Sequence, residues 1–77
     1  MKELLYAMAE ELVEDKSAIS ITVDDPTEDG TTVYRLHVAP SDMGRVIGKQ
    51  GRIAKAIRTI MRAGAVRHNE KVMVEID

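Results

Sequence analysis

The sequence contains no cysteine, tryptophan or phenylalanine, and its only aromatic residues are Tyr6 and Tyr34. The lack of cysteine excludes disulfide bonds and thiolate metal sites, so the core must form by aliphatic packing. Two aromatic rings are too few for single-strand binding by serial base stacking. No apolar run approaches the roughly 20 residues of a membrane span, and the first residues lack an apolar signal segment. We therefore expect a cytoplasmic protein with no membrane contact.

The formal net charge of −2 conceals a strong segregation of charge along the 77 residues, which we expect to form one small domain over 1–77. Residues 1–42 carry three basic and ten acidic side chains, whereas residues 43–69 carry seven basic side chains and no acid. An acidic protein with one basic segment is not a general polyanion binder. The pattern instead predicts one local anion-binding site on a surface that otherwise repels nucleic acid.

Hydrophobic periodicity predicts the element order helix, strand, strand, helix, helix, strand. The predicted elements are a helix over Lys2–Asp15, strands over Ile19–Val23 and Thr31–Val38, a short helix from Pro40 that Gly48 ends, a helix from Gln50 or Gly51 to about Ala63, and a strand over Val72–Ile76. Gly64 is expected to stop the third helix, with a polar loop from Gly64 to Glu70. We predict an α+β fold in which three helices cover one face of a three-stranded mixed sheet, the second strand being central.

The segment with the clearest chemistry reads Gly44-Arg45-Val46-Ile47-Gly48-Lys49-Gln50-Gly51-Arg52-Ile53. A two-residue bridge between helices needs backbone angles that glycine adopts at little cost, and glycines also let another backbone come close. The unpaired amides at the start of the following helix favour a phosphate. Lys49 places a cation at the tip, with Arg45 and Arg52 beside it, so the loop is suited to a sugar-phosphate backbone. Val46, Ile47 and Ile53 are available as an apolar wall for bases.

The stretch from Val46 to Ile53 resembles the GxxG core of a KH domain, a single-stranded nucleic-acid binding module that clamps about four nucleotides. The element order resembles the prokaryotic, type II KH arrangement. Over essentially its whole length the chain resembles the small stand-alone bacterial KH proteins of the KhpA type. A GxxG motif alone is common, but its combination with basic flanks, an amphipathic helix and this element order is specific.

The resemblance implies single-stranded RNA as the partner, bound by Gly48, Lys49, Gln50 and Gly51. Arg45, Arg52 and Gly44 would line the groove beside them. The loop from Gly64 to Glu70 would be the variable loop, from which Arg67, His68 and Asn69 reach the opposite edge of the strand. The resemblance also implies an RNA chaperone or post-transcriptional regulator in a pathway touching cell elongation and division. Self-association, or pairing with a larger Jag-type KH protein, is implied as well.

Three features leave alternatives open. Lys55, Arg58 and Arg62 fall opposite Ile53 and Ile57 on the third helix, which favours a solvated face over direct RNA contact. Apolar residues cover about half of that helix, wider than a core stripe requires. They either pack against both the sheet and the first helix or form a dimer patch near Ala54, Ile57 and Met61. Gly44 either lines the groove or permits close helix packing.

Nothing in the sequence points to catalysis. His37 and His68 are far apart, and there is no nucleophile–base pair, metal-ligand cluster or Walker-type loop. We expect no catalytic residue, no metal or cofactor and no small-molecule substrate. The competing function is a protein-interaction adaptor that uses the apolar face of the third helix, with RNA binding secondary.

Overall fold

Three helices cover one face of a three-stranded sheet in the computed structural model, which describes residues 1–77. The elements are α1 (Lys2–Leu12), β1 (Ser20–Val23), β2 (Thr31–His37), α2 (Met43–Ile47), α3 (Arg52–Arg67) and β3 (Lys71–Ile76). Single 3₁₀ turns occupy Lys16–Ala18, Pro40–Asp42 and Lys49–Gly51. The predicted fold class and element order are confirmed.

The central strand β2 pairs antiparallel with β1 and parallel with β3. Leu36 lies opposite Ile21 of β1 and Ile76 of β3. Because side chains alternate between the faces of a strand, Leu36 points into the core, whereas Arg35 and His37 lie on the exposed face of the sheet. This arrangement is the predicted one.

The core is aliphatic, as the composition requires. Leu5 of α1, Val46 of α2 and Met61 of α3 meet Leu36 of β2 and are all fully buried. Burial of each such side chain contributes about 1.5–3 kcal/mol relative to exposure. All three helices are therefore held on the sheet by the same cluster.

The helix α1 ends at Leu12 rather than at the predicted Asp15, because the chain turns toward Asp42. Val13 has extended backbone angles, and the main-chain N–H groups of Glu14 and Asp15 each donate to the Asp42 carboxylate at 3.1 Å. Asp42 is itself 2% exposed. Two long-range hydrogen bonds therefore replace the last predicted helical turn.

The helix α3 continues through Gly64 to Arg67, so the predicted stop at Gly64 is wrong. A Cβ atom on Gly64 would lie 3.1 Å from Met1 Cε and 3.4 Å from Leu4 Cδ2, so this glycine accommodates the start of α1. The helix ends instead in a Schellman motif: the N–H groups of Asn69 and Glu70 donate to Val66 and Ala65, and Asn69 has φ 57°. The predicted loop shrinks to three residues, 68–70, and Arg67 belongs to the helix.

Asn69 is expected to control the stability of this helix end. Asn69→Ala places a Cβ-bearing residue without a local hydrogen-bonding side chain in the left-handed region, and we expect unfolding free energy to fall by about 1 kcal/mol in urea titrations. The free energy of unfolding of Asn69→Gly should equal or exceed that of the wild type. His68→Ala, one residue earlier at negative φ, is the matched control and should change little. Equal stability of the alanine and glycine variants at position 69 would contradict the motif.

Candidate nucleic-acid interface

The connection between α2 and α3, hereafter the GxxG turn (Gly48–Gly51), has three residues with positive φ. Gly48 has φ 76° and ψ 174°, Gln50 has φ 59° and Gly51 has φ 75°. The first of these conformations is open in practice only to glycine, and the left-handed one at Gln50 is uncommon for residues with a Cβ atom. The turn therefore holds a fixed, unusual backbone shape directly before the long helix.

Ile53 makes glycine obligatory at position 48. A Cβ atom built on Gly48 would overlap Ile53 Cγ1 and would lie 2.8 Å from Ile53 Cβ and 2.9 Å from its main-chain nitrogen. No such contact exists at Gly51 or Gly44, where a Cβ atom would meet nothing within 4 Å. Close helix packing therefore does not explain Gly44, which lies exposed on α2. The motif's first glycine is required by packing and conformation, the second by conformation alone.

The tip of the turn faces solvent and has free hydrogen-bond donors. Lys49 and Gln50 are exposed, and their main-chain N–H groups have no acceptor within the protein. The only side-chain bond at the tip is a 3.5 Å contact from Arg52 Nη2 to Gln50 Oε1. No carboxylate lies within ion-pair distance of Lys49 or Arg52. The turn thus offers amides and two unpaired cations to an anionic ligand.

Arg45 is the exception among the predicted cations, because it is already paired. Its guanidinium lies 2.6 Å from Glu14 Oε1 and 3.5 Å from Asp42 Oδ1. Hydrogen bonds from the N–H groups of Asp15 and Glu14, aided by the charge of Arg45, hold the pKa of the Asp42 carboxyl below its ordinary value despite burial. Arg45 therefore connects α2 to the end of α1. A ligand phosphate would have to compete with two carboxylates for this guanidinium.

The three residues predicted as an apolar wall have different environments. Val46 is fully buried in the core, so its predicted contact with bases is wrong. Ile47 is 37% exposed beside the turn and is the residue that can contact a base. Ile53 is half-buried, packed over Gly48. Helical spacing alone did not separate these faces, because α2 is only five residues long.

The predicted dimer patch is also corrected by burial. Ala54, Ile57 and Met61 are at most 4% exposed and belong to the core side of α3. Two large apolar side chains of this helix are exposed: Ile60, 46% exposed, on the flank toward α1, and Val66, 72% exposed, about 120° away around the helix axis. Together α1 and α3 form an apolar groove of about 370 Å³, in which Met8 and Leu12 face Ile53 and Ile60, and Glu11 is the one charged lining residue.

At the far end of α3, His68 and Asn69 are exposed in the short turn before β3, and Arg67 is the last helical residue. Arg67 follows Arg62 by five residues, which rotates it about 140° around the helix axis. It therefore points away from the side of α3 that carries Arg62. Of the three predicted variable-loop contacts, only His68 and Asn69 lie in a loop.

The chain is similar over nearly its full length to known bacterial proteins. A family model described as the KH domain of KhpA/KhpB matches residues 2–76. Proteins named RNA-binding protein KhpA are 49% identical in Clostridium acetobutylicum and 47% identical in Clostridium perfringens. Each comparison covers 99% of this chain and 99% of the relative. A protein of the same name from Aquifex aeolicus is 40% identical over 99% of this chain and 94% of the relative.

Among solved structures, the fold is similar to part of Era. An Aquifex aeolicus Era variant bound to GDP and aluminium fluoride superposes with a TM-score of 0.67 at 20% identity. Era in complex with a nucleotide analogue and a segment of 16S ribosomal RNA gives 0.66 at 20% identity. Each match covers 96% of this chain but only 28% of the Era chain. At this identity the similarity concerns the fold alone.

Two further observations concern other classes of site. No helix is long and apolar enough to cross a bilayer. No group of three or more histidine or acidic side chains is arranged to hold a metal ion.

The geometry of the GxxG turn predicts an order of stability among three alanine substitutions. Gly48→Ala should lower the unfolding free energy by about 2–4 kcal/mol, through overlap with Ile53 and a disfavoured conformation. Gly51→Ala should cost about 1 kcal/mol through its φ alone. Gly44→Ala is the control, and should be neutral or stabilising by up to about 1 kcal/mol. Urea unfolding measures all three; a Gly48→Ala protein as stable as Gly44→Ala would rule out this turn geometry.

Proposed function

Because the chain belongs to the KhpA/KhpB KH-domain family, we propose that it binds single-stranded RNA by clamping the sugar-phosphate backbone at the GxxG turn. The observation that carries the proposal is the exposed turn itself. Two free main-chain N–H groups and the unpaired cations of Lys49 and Arg52 meet there at the start of a long helix. Amides and the positive end of a helix dipole stabilise a phosphate at such a position.

The proposal gives the remaining residues of the motif different tasks. Gly48 lets Ile53 pack against the turn, and Gly51, with its left-handed backbone, is the N-cap residue of α3. Ile47, exposed beside the turn, provides an apolar contact for a base. With about four nucleotides held and few charges engaged, a single site binds weakly, and a second copy or partner raises avidity.

In this proposal the chain has no catalytic role. It acts in the cytoplasm as an RNA chaperone or post-transcriptional regulator. Backbone contacts at the turn carry no sequence code, so selectivity among transcripts must come from base contacts near Ile47 or from a partner.

The double substitution Lys49→Asp/Gln50→Asp tests the clamp. We expect at least a tenfold loss of affinity for a short single-stranded RNA, measured by fluorescence anisotropy, because carboxylates replace the cation at the tip. The fold should persist, since both side chains are exposed and aspartate tolerates the left-handed backbone at position 50. Circular dichroism melting checks the fold.

The matched control is Lys2→Asp/Ser20→Asp, which changes the net charge by the same amount at exposed positions on α1 and β1. It should retain most of the affinity. If the loop variant binds RNA as well as the wild type, or if the control loses as much, the clamp assignment is wrong.

The apolar groove favours a second candidate function, the association of two copies of this chain through α1 and α3. Its lining is almost wholly apolar, and Ile60 and the nearby Leu4 are both more than a third exposed. Apolar surface of this kind gains about 25 cal/mol per Å² when it is buried. Pairing with a larger Jag-type KH protein through the same groove is the competing form of this candidate.

Ile60→Glu tests self-association, since it places a charge in the groove. We expect the wild type to sediment as a dimer at micromolar concentration and this variant as a monomer, in analytical ultracentrifugation. Thr59→Glu adds the same charge one residue away on the exposed side of α3 and should stay dimeric. A wild-type protein that stays monomeric up to the highest concentration tested argues against self-association.

A further inference from the structure

Glu14, at the end of α1, pairs with Arg45, the one cation beside the GxxG turn that has an acidic partner. Its Oε1 atom accepts a hydrogen bond from Arg45 Nη2 at 2.6 Å. Arg45 lies three residues before Gly48, which is less than one turn of α2, so the pair stands beside the start of the GxxG turn. A carboxylate and a phosphate offer an arginine the same kind of charged oxygen acceptor. Glu14 therefore occupies a position that suits a ligand phosphate.

The fold itself places this carboxylate next to Arg45. The N–H group of Glu14 donates to Asp42 Oδ1 at 3.1 Å, and the N–H group of Asp15 donates to the other oxygen of the same carboxylate. Asp42 directly precedes α2, so these two bonds fix the main chain of residue 14 relative to the helix that carries Arg45. The negative charge of Glu14 is thus positioned by backbone interactions and does not depend on its own side-chain contact.

The two carboxylates beside Arg45 differ in how readily a ligand can replace them. Asp42 is 2% exposed and holds two main-chain N–H groups, so it stays in place. The side chain of Glu14 is 79% exposed and forms no hydrogen bond other than that with Arg45. Exposed ion pairs of this kind are weak, because water solvates both partners. A phosphate can displace Glu14 while Arg45 Nε stays 3.5 Å from Asp42 Oδ1.

On these grounds, and resting on the proposed RNA clamp, we infer that Glu14 is an intramolecular competitor of RNA for Arg45. In the free protein Glu14 neutralises this guanidinium, and a strand bound at the GxxG turn replaces the carboxylate with one of its phosphates. Arg45 Nη1 has no partner within the protein, so Nη1 and Nη2 together can make a two-point contact with that phosphate. Glu14 thereby sets the affinity of the clamp below what its three cations could provide.

The test is a double-mutant cycle between Glu14 and Arg45, in which fluorescence anisotropy follows binding of a labelled ten-nucleotide oligouridylate at about 0.15 M salt. Glu14→Gln removes the competing charge at nearly constant shape, and we expect it to raise affinity about three- to fivefold. In the Arg45→Gln background the same substitution should change affinity by less than about 1.5-fold, because no guanidinium remains to be freed. An equal gain in both backgrounds, or no gain in either, would overturn the inference.

The matched control is Asp15→Asn, which removes the same charge at the adjacent residue. The Asp15 carboxylate is exposed and makes no contact with Arg45; it accepts a hydrogen bond from the Ser17 hydroxyl at 2.6 Å, which an asparagine oxygen can also accept. Affinity for the same RNA should stay within about twofold of the wild type, because salt screens a charge that touches neither RNA nor Arg45. If Asp15→Asn raises affinity as much as Glu14→Gln, general repulsion explains the gain and Glu14 is not a specific competitor.

RNA binding to the unsubstituted protein should also separate Glu14 from Arg45. In NMR spectra of the isotope-labelled protein, we expect the side-chain carboxyl carbon of Glu14 and the guanidinium of Arg45 to shift as the RNA is added, whereas the carboxyl carbon of Asp15 should not. A Glu14 signal that RNA leaves unchanged would refute the displacement while the clamp stands. If Lys49→Asp/Gln50→Asp leaves RNA binding intact, the clamp itself is wrong.

Discussion

The contact between Ile53 and Gly48 is the constraint on which the rest of the site depends. Ile53 occupies the space that a Cβ atom at position 48 would need, so the chain can reverse between α2 and α3 within a few residues. That reversal leaves the amides of Lys49 and Gln50 without partners and directs them to solvent. Unpaired donors of this kind are tolerated because water reaches them, and they are then available to a phosphate.

A second set of interactions, outside the GxxG turn, fixes the helix α2 that precedes it. The buried carboxylate of Asp42 accepts hydrogen bonds from the end of α1, and Arg45 connects it to Glu14. Here acidic and basic segments that are separate in the sequence neutralise one another. The cations beyond Arg45 have no such partners, so positive charge is concentrated at the turn and along α3, and acidic groups elsewhere repel a polyanion.

The helix α3 has different surroundings on its different sides. Its buried stripe completes the core, and its flank toward α1 lines an apolar groove. The proposed RNA clamp lies at the start of this helix, whereas the groove lies along its flank, so the two proposed activities use different surfaces of the protein.

Much of this was predictable from the sequence. The alternation in β2 and β3, the glycines of the turn and the absence of acidic residues from 43 to 69 each depend on local chemistry. They indicated the fold class, the strand order and the segment that forms the candidate site. Only the tertiary structure decided which of these residues face solvent. Val46, Ile57 and Met61 are buried by elements distant in the chain, and Arg45 is paired by a glutamate 31 residues away.

The end of α3 was also not predictable from local pattern. Gly64 continues the helix because α1 lies against it, and the helix ends before Asn69 because hydrogen bonds close the cap there. Local pattern determines which element forms, but long-range packing determines what each side of it touches.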